Sequence, residues 1–250
     1  MRRLGTEVEA DLMATAHALA DAARQATLLH FRKPGLTAEN KEELRFDPVT
    51  VADRLSEERM RAILATRRPH DGILGEEYGR VEGTSGLTWV LDPIDGTRGY
   101  LSGTPTWGVL ISVRDEVGPI YGLIDQPYIG ERFEGGFGRA EGNGPMGRAA
   151  LQARPARALA EAIVMTTFPE VGAPDEGAAF RRVAERAKLV RYGTDCYAYA
   201  LIAAGQIDLV IEAAGGIVTD WTGQPCHDGG RVLAAANATI HAEALALLHG

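Results

Sequence analysis

This chain is short of the features that mark many protein classes. It has two cysteines in 250 residues, Cys196 and Cys226, and neither belongs to a CxxC pair. That leaves no material for a disulfide framework and points to a reduced, cytoplasmic setting. No signal-peptide pattern follows Met1-Arg2-Arg3, and no apolar run approaches transmembrane length, so no membrane partner is expected. Positive charge is outweighed: 34 acidic against 26 basic residues give a net charge of -8, which argues against nonspecific binding to nucleic acid or anionic lipid. A phosphate substrate is not excluded, because a bound cation reverses the local field. A GxSxG elbow, an HExxH pair and a GxxxxGK(S/T) loop are also missing, which removes three common hydrolytic designs. The six histidines are scattered, and there is no internal repeat, linker or low-complexity stretch. What is present is 45% apolar residues. That is enough to bury a substantial core in one domain over 1–250, built as two packed halves of about 1–150 and 151–250.

Along the chain, Val8, Leu12, Ala16, Leu19 and Ala23 recur every three or four residues and mark the buried face of a long helix. Pro34 and Gly35 end it. Thr50-Val51-Ala52-Asp53 fits a capping box opening a second helix, which should turn Leu55, Ile63 and Leu64 inward and stop before Pro69. From Gly72 the texture changes to short apolar runs punctuated by glycine and proline, which predict strands. These are Thr88–Leu91, Trp107–Val113, Ile120–Asp125, Arg132–Glu134, Ala162–Thr166, Leu189–Tyr192, Asp208–Glu212, Ile217–Trp221 and Val232–Ala235. Helices are expected near Asp175–Ala187, over Thr194–Ala204 and from about Thr239. Two phases of strands imply an α/β architecture of layered sheets and helices, not a simple doubly wound sheet.

The stretch with most chemical content is Trp89-Val-Leu-Asp92-Pro93-Ile94-Asp95-Gly96-Thr97. An apolar strand runs into two aspartates three positions apart, with proline and glycine bending the chain. Such a turn can aim two carboxylates and a backbone carbonyl at one hard divalent cation. Gly96 and Thr97 then offer N–H groups, and Thr97 a hydroxyl, to a phosphate oxygen. The plainer alternative is an acidic turn that merely ends a strand. An EF-hand is excluded, since Gly103 occupies the twelfth position from Asp92. Upstream, Ile73-Leu74-Gly75-Glu76-Glu77 is a second apolar run ending in acids. Two acidic strand ends suit a multi-metal oxygen site, and solvated surface acids are the alternative.

GEE followed by WVLDPIDGTRGYLSG resembles the first signature of the inositol monophosphatase family, and the likeness runs from the first helix to the C-terminus. It implies a sugar-phosphatase fold of alternating helix and sheet layers, Mg²⁺ as cofactor with two or three ions, and small phosphate monoesters as substrates. It implies a homodimer as well. By matching position, Glu76, Asp92, Asp95 and the carbonyl of Ile94 would be metal ligands. Glu76 and Thr97 would orient the attacking water, and no phosphoenzyme would form. Asp53 would be an outer acid near a further metal, with Lys41 nearby; its capping role can hold at the same time.

Arg98 after the DGT, Gly118-Pro-Ile-Tyr-Gly-Leu-Ile-Asp-Gln126-Pro127 and Arg191-Tyr192-Gly193-Thr194-Asp195-Cys196-Tyr197-Ala198-Tyr199 are similar to the histidinol-phosphatase branch. The resemblance puts Asp195 and Glu212 against the organic part of the substrate, where an ammonium and an imidazole call for carboxylates. By its own position Asp195 also reads as a helix-start acid favoured by the dipole. Of Tyr197 and Tyr199, one is expected to face the pocket while the other packs. One departure stands out. Family members place a loop and a helix between the strand matching Asp208–Glu212 and the strand of Ala214-Gly-Gly-Ile-Val-Thr-Asp-Trp221. Here Glu212-Ala-Ala-Gly-Gly216 joins the two directly. The aspartate that serves the second metal in that loop has no match, which implies a weakened second site and impaired catalysis. The readings that follow are a histidinol-phosphate phosphatase, an inositol-1-monophosphatase or broader sugar or nucleotide phosphatase, and a catalytically silent binding or assembly protein of the same fold.

Overall fold

The structure is a computed structural model, described over residues 4–40, 48–168, 173–212, 219–222, 224 and 231–249. The chain divides into two compact units, Met1–Ala149 and Ala150–Gly250. The first opens with α1 (Thr6–His30), a short hairpin of β1 (Ala38–Asn40) and β2 (Pro48–Thr50), and α2 (Val51–Arg67). Next come β3 (Gly72–Gly75), β4 (Gly79–Val81), β5 (Thr88–Asp95), the short α3 (Thr97–Ser102), β6 (Gly108–Arg114), β7 (Pro119–Gln126), β8 (Glu131–Gly136), β9 (Arg139–Gly144) and β10 (Gly147–Ala150). Strands β3 to β10 form one eight-stranded sheet in the order β10-β9-β8-β7-β6-β5-β3-β4. Every pairing described in it is antiparallel except β3 with β5. Leu12, Leu19, Met60 and Leu64 of the two long helices pack on Trp89, Ile111 and Leu123 of the sheet. Alternate residues of β6 face that core, as a half-covered antiparallel sheet requires.

The second unit contains β11 (Ile163–Thr166), α4 (Pro174–Ala184), β12 (Leu189–Tyr192), α5 (Asp195–Ala203), β13 (Leu209–Glu212), β14 (Val232–Ala235) and α6 (Ala238–His249). Its four strands lie in the order β12-β11-β13-β14. Helices cover both faces, and the strand period of two sorts the side chains between them. Val164, Leu209, Ile211 and Leu233 pack with Phe180, Val183, Ile240 and Ala244 of α4 and α6. Met165, Val210 and Ala234 pack with Ala198 and Ile202 of α5. Among the described residues no helix is long and apolar enough to cross a membrane.

One expectation needs amendment, and two others fall partly or wholly outside the described residues. In α2, Leu55 and Ile63 are only half-buried, while the buried stripe is Ala52, Asp53, Ser56, Glu57, Met60 and Leu64. Asp53 and Glu57 tolerate burial because hydrogen-bond donors meet them. Of the strand expected over Ile217–Trp221, Ile217 and Val218 lie outside the described residues, and Thr219 makes a single bridge to Leu233. The shortened connection at 213–216 likewise lies outside the described residues.

Candidate active site

Strands β3 and β5 are parallel neighbours in the register Gly75↔Leu91. The Glu76 N–H extends that ladder by donating to the Leu91 carbonyl at 3.1 Å. Parallel pairing therefore brings Glu76 and Asp92, sixteen positions apart in the chain, to the same level at adjacent strand ends. Pairing of β5 with β6 slips between Asp92 and Asp95, where Pro93 has no N–H to offer. The freed Ile94 N–H turns back to Asp92 Oδ1 at 3.1 Å, and Thr97 Oγ1 donates to the Ile94 carbonyl at 2.9 Å. Gly96, at φ 83°, swings the chain into α3, a conformation that a side chain would strain. The DPIDGT run thus folds into a turn that gathers Asp92, the Ile94 carbonyl, Asp95 and Thr97. Arg98 follows on an exposed position.

The charges here are of one sign. Asp92 keeps an open side, yet burial of its carboxyl pushes its pKa well above the carboxylate range. The charges of Glu76 and Asp95, a hydrogen bond with Glu76, and the charge of Asp53 push it further the same way. A carboxyl–carboxyl hydrogen bond needs a proton between two groups that ordinarily ionise. A hard divalent cation is the other species that satisfies both, and the oxygen-only donor set of Glu76, Asp92, Asp95 and the Ile94 carbonyl suits Mg²⁺. The donors fit in kind but are not yet closed up. Among the described residues no three His, Cys, Asp or Glu side chains form a ready cage.

Asp53 is the third residue of α2 and closes a capping box opened by Thr50. Its Oδ2 accepts from the Thr50 N–H at 2.8 Å and from Thr50 Oγ1 at 2.5 Å. Burial raises its pKa to about 6 against the pull of those bonds. The capping role is realised, and the same carboxylate acts electrostatically on Asp92. Lys41 lies outside the described residues. One acid escaped the sequence reading: Glu57, one helical turn after Asp53, is fully buried and accepts from the Glu77 N–H at 2.7 Å. Its only trace in the sequence is the spacing Asp53, Glu57, Arg61 on one helix face.

In the second unit, β11 and β13 are parallel. Thr167, just past β11, donates from its N–H at 2.8 Å and its Oγ1 at 3.0 Å to Glu212 Oε1 at the end of β13. Asp195 opens α5 at φ 44°, two residues after Gly193 at φ 81°. A non-glycine residue in that region carries backbone strain, which clusters at functional sites. Tyr197 and Tyr199 are both half-buried, and Tyr199 packs on the cluster around Ala198 and Val210. The predicted residues thus fall into two groups: Asp53, Glu76, Asp92, Ile94, Asp95, Gly96, Thr97 and Arg98 in the first unit, Asp195 and Glu212 in the second.

The model of the inositol monophosphatase family matches residues 9–212. The chain belongs to this family. Its members are Mg²⁺-dependent phosphatases, and the chain is similar along most of its length to several of them. It is 36% identical to the bifunctional phosphatase IMPL2 of Arabidopsis thaliana, covering 93% of this chain and 73% of that protein. It is 32% identical to the histidinol-phosphatase of Streptomyces coelicolor, covering 96% and 97%. The structure superposes on an inositol monophosphatase from Zymomonas mobilis with a TM-score of 0.84 at 32% identity, covering 99% of this chain and 100% of the other. The inositol monophosphatase fold, with helices and sheets in layers, is therefore this chain's fold. The family match ends at Glu212, the residue after which the sequence leads one to expect a shortened connection. The Streptomyces alignment spans 265 positions, more than the 250 residues present, so that relative carries residues this chain lacks.

Proposed function

We propose that this family member hydrolyses histidinol phosphate to histidinol and phosphate. The observation that carries the reaction type is the like-charged group of Glu76, Asp92 and Asp95 at the ends of two parallel strands. Bound Mg²⁺ would supply positive charge that acidifies a water and screens the phosphate. The chain's own residues do the rest. Thr97 commits its hydroxyl proton to the Ile94 carbonyl, which leaves the Thr97 oxygen lone pairs to accept from the attacking water. The Glu76 carboxylate takes that water's second proton as the P–O bond to histidinol breaks, and the departing alkoxide is protonated from solvent water. The backbone N–H groups of Gly96 and Thr97, with Arg98, hold the phosphate oxygens.

Substrate choice rests on Asp195 and Glu212. Glu212 is oriented by Thr167 through one oxygen, and Asp195 is held in a strained helix start. Both are carboxylates, which suits a substrate carrying an ammonium and an imidazole better than a neutral polyol. The Arg191–Tyr199 run supports the same choice, as do the histidinol-phosphatases among the relatives. The second reading, an inositol-1-monophosphatase, is favoured by the structural likeness to the Zymomonas protein. A silent binding protein is favoured by the shortened connection after Glu212. A homodimer and a cytoplasmic location belong to the proposal, and sedimentation tests the first.

The deciding experiment measures phosphate release from histidinol phosphate and from inositol 1-phosphate, with and without Mg²⁺, on protein of confirmed intact mass. Mg²⁺-dependent release favouring histidinol phosphate is expected. Preference for inositol 1-phosphate moves the assignment to the second reading. No release from folded protein leaves the silent role. A Glu212→Gln variant should raise KM for histidinol phosphate about tenfold with a smaller effect on kcat.

A further inference from the structure

Glu57 has no role in the chemistry above, yet it is one of the most constrained side chains in the first unit. It is fully buried. Its carboxylate accepts from two successive backbone donors, the Glu77 N–H at 2.7 Å and the Tyr78 N–H at 3.2 Å. It also receives Arg61 Nε at 2.7 Å, one helical turn along α2. Arg61 in turn donates to the Gly79 carbonyl at 2.5 Å and lies 5.9 Å from the centre of the Tyr78 ring. Between them these two residues grip the whole turn that joins β3 to β4. That turn begins with Glu76.

The fit leaves no slack. A Cβ placed on Gly75 would come within 1.9 Å of Glu57 Oε1, so the carboxylate presses against bare backbone just ahead of Glu76. The Glu76 N–H is anchored to Leu91, and the next N–H is anchored to Glu57. Glu76 is therefore held from both sides, while its own side chain stays exposed. Asp53 lies on the same face of α2, one turn before Glu57, so a single helix sets two parts of the acidic centre.

We propose that Glu57 is a positioning residue that keeps the Glu76 carboxylate beside Asp92 and thereby sets how tightly the acidic centre takes a divalent cation. This rests on the reading of that centre as a metal site. A carboxylate accepting two adjacent N–H groups selects one conformation of a short turn that otherwise has several. Residues that orient metal ligands commonly govern affinity by one to two orders of magnitude.

The test compares Glu57→Gln with the unsubstituted protein in three measurements: Mn²⁺ binding by electron paramagnetic resonance, the Mg²⁺ concentration for half-maximal phosphate release, and the unfolding midpoint in EDTA. The amide keeps the volume but turns an NH₂ group towards N–H donors and deprives Arg61 of its charge partner. Mn²⁺ affinity should weaken about tenfold or more, with Mg²⁺ half-saturation moving in parallel. Substrate KM at saturating Mg²⁺ should change by less than about twofold. Tyr78→Phe, which loses only the hydroxyl bond to Glu58, should bind Mn²⁺ like the unsubstituted protein. If Glu57→Gln is too unstable to purify, Glu57→Asp decides the same question, since it retains the charge one methylene short and should weaken Mn²⁺ binding to an intermediate degree. A lowered midpoint with unchanged Mn²⁺ affinity would reduce Glu57 to scaffold and overturn the inference. If the unsubstituted protein binds no Mn²⁺, the metal reading falls and this inference with it. If it binds Mn²⁺ but hydrolyses nothing, the proposed reaction fails while the Mn²⁺ comparison still judges Glu57.

Discussion

Asp125 on β7 and Asp92 on β5 stand two strands apart in the same sheet, and their surroundings are opposite in sign. Asp125 is fully buried and receives Arg24 through Nε at 3.0 Å and Nη2 at 2.7 Å, and Arg132 through Nε at 2.7 Å. The charges acting most on Asp92 are those of Glu76, Asp95 and Asp53. Asp71 and Asp208 follow the first pattern, held by Arg68 and by Arg154 respectively. A buried acid met by guanidinium forks ties a helix to a sheet and has its charge compensated from within. A buried acid among other acids is compensated only by a proton or by a cation from outside. The contrast separates scaffold from candidate site without any appeal to motif.

Four measurements put that contrast at risk. The largest effect is expected for Asp92→Asn. Mg²⁺-dependent phosphate release should fall about 10³-fold, while stability in EDTA holds or rises because like-charge crowding is relieved. A large stability loss in EDTA would erase the distinction. Next comes Asp125→Asn, which leaves two arginines short of a partner. Because both are partly exposed, the expected cost is about 3 kcal/mol, at the low end for a broken buried pair. Denaturant unfolding would measure it, and it should be the same with and without Mg²⁺.

The third concerns pH. Burial raises Asp53 from the ordinary carboxylate value of 3.8 to about 6, so the folded, metal-free protein retains a proton that the unfolded chain releases. Its contribution is fully present below about pH 4 and is lost as pH rises through about 6, on the order of 2–3 kcal/mol. Saturating Mg²⁺ should flatten or reverse this slope, since a cation favours the ionised acids. An identical slope in EDTA and in Mg²⁺ would separate Asp53 from the cation site. The smallest effect belongs to Thr50→Ala, which removes the cap of α2. Loss of about 1 kcal/mol by denaturant unfolding is expected; no loss would leave Asp53 held by the site alone.

Much of the fold was legible because its signals are local. The capping box of α2, the strand entering Asp92 and the strands through Glu134 carry helix or strand periodicity within a few residues. Among the elements that escaped are strands without a buried apolar face. Residues 79–81 and 147–150 are exposed throughout, so β4 and β10 have no apolar alternation, and β9 is interrupted by Gly142 and ends at Gly144. Leu55 and Ile63 misled for a related reason: hydrophobicity predicted the buried stripe of α2, but polar residues with fixed donors occupy much of it.

For the site, the pieces were written in the residues themselves. The DPIDGT turn, the GEE run, the Thr50 cap and the likeness to the inositol monophosphatase family all follow from residue types at short spacing, where proline, glycine and hydroxyl side chains restrict the backbone directly. Which pieces meet was left to tertiary packing. Glu76 reaches Asp92 because β3 and β5 pair in parallel at Gly75↔Leu91. Glu57 becomes a clamp because α2 lays it against Gly75. Whether a buried carboxylate faces Arg24 or Glu76 depends on register and packing between segments distant in the chain, and a sequence does not display the charge that will stand opposite each of its acids.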